Sequence, residues 1–479
     1  MVTMKMQING KAAGASGSEF FDVKNPATGE LIEQVPRGTE DDVALAVEAA
    51  VSAFQGWAST SPQHRGVVFY RAAGIVRQRK EELAALLTQE QGKPLAEARN
   101  EIEGFAHVLE YYCGLSSNQR GDFIPVPGNG YAFTVKNPLG VCAAIIPWNM
   151  PALIMGWKIV PALISGNTFV LKPSSNTPLT NLTLASILTE AGLPEGVLNV
   201  ITGPGETAGE SLIRNPYVKK ISFTGEARTG KRVAELAAGG MKRVTLELGG
   251  SDPMLVCDDA NLESAVAGAL RGRFYNCGQT CTAVKRLYIF ESIAEEFIKK
   301  LEAGVRSLRV GNGLDKSTDM GPLNNLRQME YLKGLIDEIE EKDEGRIITG
   351  GKVPDFKDSD KGYFFEPTLV SEVPGDSRLL KEEVFGPLLP VVTVKNLDEA
   401  IEEANNSSYG LGASIWTKDL DRARMGCEQL NAGIIWVNQH LKVAPEVPFG
   451  GVKESGFGRE NGPDALSEYL ETKTIMLKT

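Results

Sequence analysis

The 479-residue chain has only three histidines, His64, His107 and His440. They are widely scattered, which argues against a His-built metal site. Its six cysteines are too few to staple a chain of this length, and Cys277 and Cys281 have neither zinc-ribbon nor thioredoxin spacing. A reduced, intracellular setting is expected. Positive charge is also in deficit: 50 Lys+Arg stand against 61 Asp+Glu, a net charge of −11. That balance argues against nucleic acid or an anionic membrane as the main partner. Long apolar runs are missing too. The nearest is Val141 to Trp157, but Pro147, Asn149 and Pro151 break it, and Lys158 and Pro161 follow. Met1 to Gly14 has no apolar core with a cleavage site behind it. These absences leave a cytoplasmic enzyme of two or three domains.

What is present is an alternation. Thr39 caps an amphipathic helix over 39–54, with Asp42 placed for a capping box. A second helical stretch runs from about Gln63 to Gln91 and stops near Gly92 and Pro94. Apolar, β-branched runs then begin at 141, 168, 197, 219 and 243, spaced 27, 29, 22 and 24 residues apart. Helical patterns lie between them at 150–164, 179–190, 206–214 and 227–237. That period predicts βαβ units and a parallel sheet covered on both faces. Beyond Gly249 the alternation continues, with helices near 291–308 and 323–341 and a strand near 411–416, which predicts a second α/β lobe. Residues 117–137 break the pattern as a turn-rich hairpin, and Glu468–Lys478 alternates like a strand.

Ligands on parallel sheets bind at the carboxyl ends of strands, and several residues at such ends stand out. Glu247 closes an apolar strand ahead of Gly249 and Gly250. It reads as a general base or, more plainly, as a solvated strand end. Asn149, between Pro147 and Pro151, reads as an amide aimed at an oxyanion or as an Asx turn. Cys281 sits among small polar residues, odd surroundings for a packed thiol, and is a candidate nucleophile. Lys172 ends another strand within reach of ribose or phosphate. Gly203-Pro204-Gly205 with Gly209 is a near miss of the dinucleotide fingerprint, and Phe223-Thr224-Gly225-Glu226 occupies another strand-to-helix turn.

In order along the chain these segments resemble the aldehyde dehydrogenase superfamily. The series runs from Asn149, Lys172 and the FTG turn through ELGG and GQTC. It continues with Glu382-Glu383-Val384-Phe385-Gly386-Pro387, Pro448-Phe449-Gly450-Gly451 and Lys453-x-Ser455-Gly456-x-Gly458-Arg459-Glu460. Each motif is weak alone, but the ordered set is specific and spans nearly the whole chain. The 34 residues between Glu247 and Cys281 also fit. The resemblance implies two doubly wound Rossmann-like lobes: a cofactor domain of residues 1–116 and 138–248, and a catalytic domain of 249–448. A small β element of 117–137 and 465–479 would bridge subunits of a dimer or tetramer, one subunit's tail completing a neighbour's sheet.

The resemblance also implies a mechanism. Cys281 attacks the aldehyde, and Asn149 with the Cys281 N–H holds the oxyanion. Hydride leaves for the nicotinamide, and water activated by Glu247 hydrolyses the thioester, with Lys158 and Glu460 behind the base. Cofactor contacts are implied for Ile146, Pro147, Trp148, Lys172, Ser174, Ser175, Gly205, Phe223, Thr224, Gly225, Glu226, Leu248, Glu383 and Phe385. Substrate contacts are implied for Met150, Trp157, Tyr275, Thr280, Thr282 and Phe449.

Three departures refine this. Glu226 stands where Ser is common. Ser175 stands where NAD-preferring relatives often carry Glu, so NADP is expected with NAD activity retained. Trp157 and Tyr275 replace the arginines of succinate-semialdehyde dehydrogenases. Cys281-Thr282-Ala283-Val284-Lys285-Arg286 resembles the matching segment of non-phosphorylating glyceraldehyde-3-phosphate dehydrogenases, so a small polar or aliphatic aldehyde, like glyceraldehyde or lactaldehyde, is expected. Succinate-semialdehyde oxidation and a CoA-acylating reaction are the alternatives. Cys277, four residues from Cys281, is a candidate oxidation partner.

Overall fold

The computed structural model describes residues 4–128 and 130–478. Asn129 in the expected hairpin, Thr479 of the tail, and Met1, Val2 and Thr3 of the leading segment lie outside the described residues. The five expected strands, Val141–Ile145, Thr168–Lys172, Leu198–Val200, Val218–Thr224 and Arg243–Glu247, form the parallel core of an eight-stranded sheet. From Val141–Ile145 the chain steps outward through the next two strands. It then returns to the other flank for Val218–Thr224 and Arg243–Glu247. That reversal opens a crevice at the carboxyl ends of neighbouring strands, the usual place for a ligand in such a sheet.

The helices between these strands bury apolar faces on the sheet. Glu40–Ala58 begins with a capping box in which Thr39 and Asp42 satisfy each other's backbone N–H groups. The stretch expected as one helix over 63–91 is two, Pro62–Gln78 and Lys80–Gln91. The backbone leaves the helical region at Arg79 (φ −97°, ψ 15°), and Gly92 (φ 105°) ends the second helix. The apolar run from 141 resolves into a strand and the almost wholly buried helix Pro151–Ile164. Among the described residues no helix is long and apolar enough to cross a membrane.

A second, seven-stranded sheet holds Val284–Phe290 at its centre, flanked by Asp252–Val256 and Leu388–Val394. Its strands are parallel except the edge strand Arg346–Thr349. The mixed α/β architecture with two Rossmann-like lobes is as expected. After residue 448 the chain returns to the first lobe. Gly456–Phe457 pairs antiparallel with Leu246–Glu247, and Phe449, Leu466 and Tyr469 join the first lobe's core.

The hairpin is present as Phe123–Val126 and Gly130–Pro138, joined by the tail Leu470–Lys478. The tail pairs with the hairpin of its own chain and forms one edge of this three-stranded sheet. The helical turn Pro463–Tyr469 runs straight into the tail and delivers Leu470 to Pro138, from which nine residue pairs follow.

Candidate active site

The nucleophile loop follows helix Leu262–Phe274. Asn276 and Cys277 both adopt left-handed φ, 53° and 56°. Such a conformation costs ~1–3 kcal/mol per non-glycine residue and persists only where surroundings impose it. Here they do. Asn276 N donates to Glu97 Oε2 at 2.9 Å, and Asn276 Nδ2 donates to the carbonyls of Asn149 and Gln279 at 3.1 Å each. Gln279 Oε1 in turn accepts from Asn324 N at 2.8 Å. The kinked loop presents Cys281, partly open, at the floor of a funnel between the lobes.

Cys277 does not share that floor. Its side chain enters the second lobe's core beside Phe274, whereas Cys281 packs against the first lobe's core. The two thiols therefore pack against different clusters.

Asn149 follows the strand Val141–Ile145 and is buried. Its Nδ2 donates to Gln279 O at 3.0 Å, which anchors the amide two residues from Cys281. An amide nitrogen carries two hydrogens, so one remains for a substrate oxygen. The Asn149 carbonyl accepts from the buried Lys93 Nζ at 2.8 Å, and Lys93 is paired with the buried Glu101. Glu101 Oε1 also accepts from Ala152 N at 2.8 Å, fixing the start of the helix after Asn149. Neither Lys93 nor Glu101 was read as part of the site. The only sequence signal near them is the Gly92-Lys93-Pro94 helix stop.

Glu247 ends the strand Arg243–Glu247 and is buried, with no partner among the described residues in hydrogen-bond range of either oxygen. Burial first, and the Glu460 carboxylate next, raise its pKa well above the ordinary carboxylate range, while Lys158 and Arg459 act against them. Behind it Lys158 pairs with Glu460, and Ser222 Oγ joins both, at 2.8 Å from Lys158 Nζ and 2.9 Å from Glu460 Oε1. A Cβ at Gly450 would stand 2.7 Å from Glu247 Oε1, so only glycine leaves that carboxylate its place. Burial likewise pushes the Cys281 thiol up to about 12, with Lys285 acting in the opposite direction.

Ile146, Lys172, Thr224 and Leu248 stand at or just past the carboxyl ends of their strands. Ile146 N donates to Lys172 O at 3.1 Å, continuing the sheet past Ile145. The Trp148 ring stands edge-on to Phe385 with centroids 5.5 Å apart. Lys172 is buried, and Nζ donates only to the neighbouring Pro173 carbonyl at 3.0 Å. Burial lowers its pKa to about 8. Ser174 Oγ accepts from Asn176 N, and Ser175 Oγ donates to Gly203 O at 3.3 Å. Residues Gly205–Gly209 form a single wide helical turn. Phe223 ends its strand in the core, and the buried Thr224 Oγ1 has no protein partner. After Gly225, the twelve-residue helix Ala227–Ala238 starts with free N–H groups, and Leu248 packs on it at Gly230. The Glu226 side chain is 55 % exposed and lies 4.0 Å from Arg228. Glu383 accepts from Gly250 N at 3.1 Å and packs so tightly on Gly249 that a Cβ there would meet Oε2 at 1.9 Å. A buried, sparsely partnered ammonium, an orphan hydroxyl and a helix start suit a pyrophosphate, and Glu383 suits ribose hydroxyls.

Six expected substrate residues, Met150, Trp157, Tyr275, Thr280, Thr282 and Phe449, all line one cavity of about 240 Å³ that also holds Asn149 and Cys281. Trp157 and Phe449 face each other with centroids 5.1 Å apart. Thr282 is fixed through its carbonyl, 2.8 Å from His440 Nε2. Sequence reading missed Leu153, Ile154 and Val443 in the walls and Arg271 and His107 at the mouth. They approach from four separate segments, and no local pattern joins them.

A thiol, an anchored amide and an unpartnered carboxylate beside a dinucleotide-type crevice suit an enzyme that acts on a carbonyl. The aldehyde dehydrogenase family model matches residues 13–475, and the chain belongs to that family. Human retinaldehyde dehydrogenase 3 is 41 % identical over 479 residues, covering 99 % of this chain and 93 % of its own. Two solved structures have a TM-score of 0.97. One is the Escherichia coli NADP dependent enzyme, 38 % identical, covering 100 % of this chain and 98 % of its own. The other is Staphylococcus aureus betaine aldehyde dehydrogenase in complex with NAD+, 35 % identical, covering 100 % and 95 %. The chain is an oxidoreductase that acts on aldehydes with NAD(P).

Proposed function

We propose that the chain oxidises a small polar or aliphatic aldehyde to its carboxylate by way of a Cys281 thioester that water hydrolyses. The observation that carries this reading is the Asn149 amide tied to Gln279 O, beside Cys281 on the funnel floor. Cys281 gives up its proton to solvent water, and its sulfur bonds the aldehyde carbon. The Asn149 amide and the Cys281 N–H receive the developing oxyanion. The bound nicotinamide would take the hydride, leaving a thioester on Cys281. Glu247 then accepts a proton from water as the water attacks, with Lys158 and Glu460 behind it. The presence of this carboxylate favours hydrolysis over transfer to CoA.

Trp157, Phe449, Leu153 and Ile154 make the funnel wall largely apolar near the thiol, which supports an uncharged aldehyde over a semialdehyde acid. Ser175 carries no charge to repel a 2′-phosphate and Lys172 lies nearby, so NADP is used and NAD retained. The chain is cytoplasmic and assembles as a homo-oligomer through residues 117–137 and the tail, where Phe123 and Ile124 of the outer strand are exposed. A panel of aldehydes assayed at 340 nm with both cofactors tests the reading. Turnover of small aldehydes is expected. Exclusive use of succinate semialdehyde, or a requirement for CoA, would overturn the substrate or the hydrolytic part of it.

A further inference from the structure

One buried ammonium touches both halves of the site. Lys285 is the second residue of strand Val284–Phe290 and is fully buried. Its Nζ donates to Thr280 O at 3.0 Å and to Cys281 O at 2.5 Å. It also lies 3.3 Å from Glu383 Oε1 and 5.8 Å from the centre of the Phe385 ring. We propose that Lys285 is the positioning residue that aims and polarises the Cys281 N–H and ties it to the cofactor-holding carboxylate of Glu383. This rests on the oxyanion role proposed above.

The argument follows from peptide geometry. In a planar trans peptide the C=O and N–H point in opposite directions. An ammonium on Thr280 O therefore fixes the direction of the Cys281 N–H, away from Lys285. Positive charge on the carbonyl oxygen also draws density from the N–H and makes it a stronger donor. The next peptide is held by the same Nζ through Cys281 O, so the nucleophile's backbone is clamped on both sides. A buried Lys persists only with such partners, and Glu383 supplies the counter-charge. The charged groups facing the thiol are Lys285, Asp252, Glu383 and Glu247, and of these only Lys285 favours the thiolate.

The test uses the full chain carrying Lys285→Met. We expect kcat to fall ~100-fold, the size of one impaired oxyanion donor, with aldehyde KM changed less than about 3-fold. The pH midpoint of iodoacetamide alkylation, read by mass on the Cys281 peptide, should rise by about one unit or more. Lys285→Gln keeps an N–H donor without the charge and should show the same alkylation shift with a smaller loss of kcat. If Lys285→Met does not fold, Lys285→Gln decides by the same two readouts. Wild-type kcat, or an unchanged alkylation midpoint, in the folded variant would overturn the assignment. Failure of the underlying reading looks different: Asn149→Ala would then keep its turnover.

Discussion

Lys158 and Glu460 lie 302 residues apart in the chain and form a buried ion pair behind Glu247, with Ser222 bridging them. The pair joins the buried helix Pro151–Ile164 to the segment that returns after the second lobe. Removing one partner leaves an uncompensated buried charge, which costs ~3–5 kcal/mol. Lys158→Met should therefore lower unfolding free energy by about that much. The double variant with Glu460→Met should recover most of the loss. Urea unfolding measures both, and equal stability of Lys158→Met and wild type would show the pair to be idle.

Glu247→Gln separates the two halves of the reaction. Acylation and hydride transfer do not need the carboxylate in our account, so a burst of one NAD(P)H per site should survive. Steady turnover should then fall ~10²–10⁴-fold. A steady rate near wild type would remove Glu247 from the role of base.

The pH dependence has a definite sign. The raised pKa of Glu247 means that its competent carboxylate form appears only as pH climbs past the ordinary range. The Cys281 thiol, pushed up to about 12, acts in the same direction. Turnover should rise from pH 6 to 9 and fall away on acidification. A profile flat across that span would show that neither group titrates in the reaction.

Much of this site was legible because catalysis places unusual residues at recognisable spots. A carboxylate before two glycines at a strand end, an amide between prolines and a thiol among polar residues each depart from what packing alone selects. Gly249 and Gly450 are now explained by the carboxylates of Glu383 and Glu247 that press on them. Lys285, Lys93 and Glu101 were not legible. A lysine at the start of a strand, or after a helix, reads as solvated, and only distant contacts such as Lys93 with Asn149 reveal otherwise. The break at Arg79 has no proline or glycine to announce it. Gly456–Phe457 is too short to show a strand period. The tail's partner could not be chosen from alternation, which specifies a strand but not whose edge it joins.

Ser175→Glu tests the cofactor reading. A carboxylate there would repel a 2′-phosphate beside Lys172, so kcat/KM with NADP should drop at least ~10-fold, the equivalent of about 1.4 kcal/mol. Activity with NAD should hold or improve. A wild-type preference for NAD exceeding about 100-fold would already contradict the expectation.

Asn149→Ala should lower kcat ~10²–10³-fold, the range for loss of one oxyanion donor. Aldehyde affinity should change little, since the amide acts mainly on the charged state. A change confined to KM would assign Asn149 to binding alone.

The central claim is that Cys281 carries the substrate. Absorbance at 340 nm, recorded for the wild type and Cys281→Ala over an aldehyde panel with both cofactors, addresses it most directly. The account predicts NAD(P)H formation by the wild type and none by the variant, neither burst nor steady phase. Dehydrogenase activity retained in Cys281→Ala would contradict it.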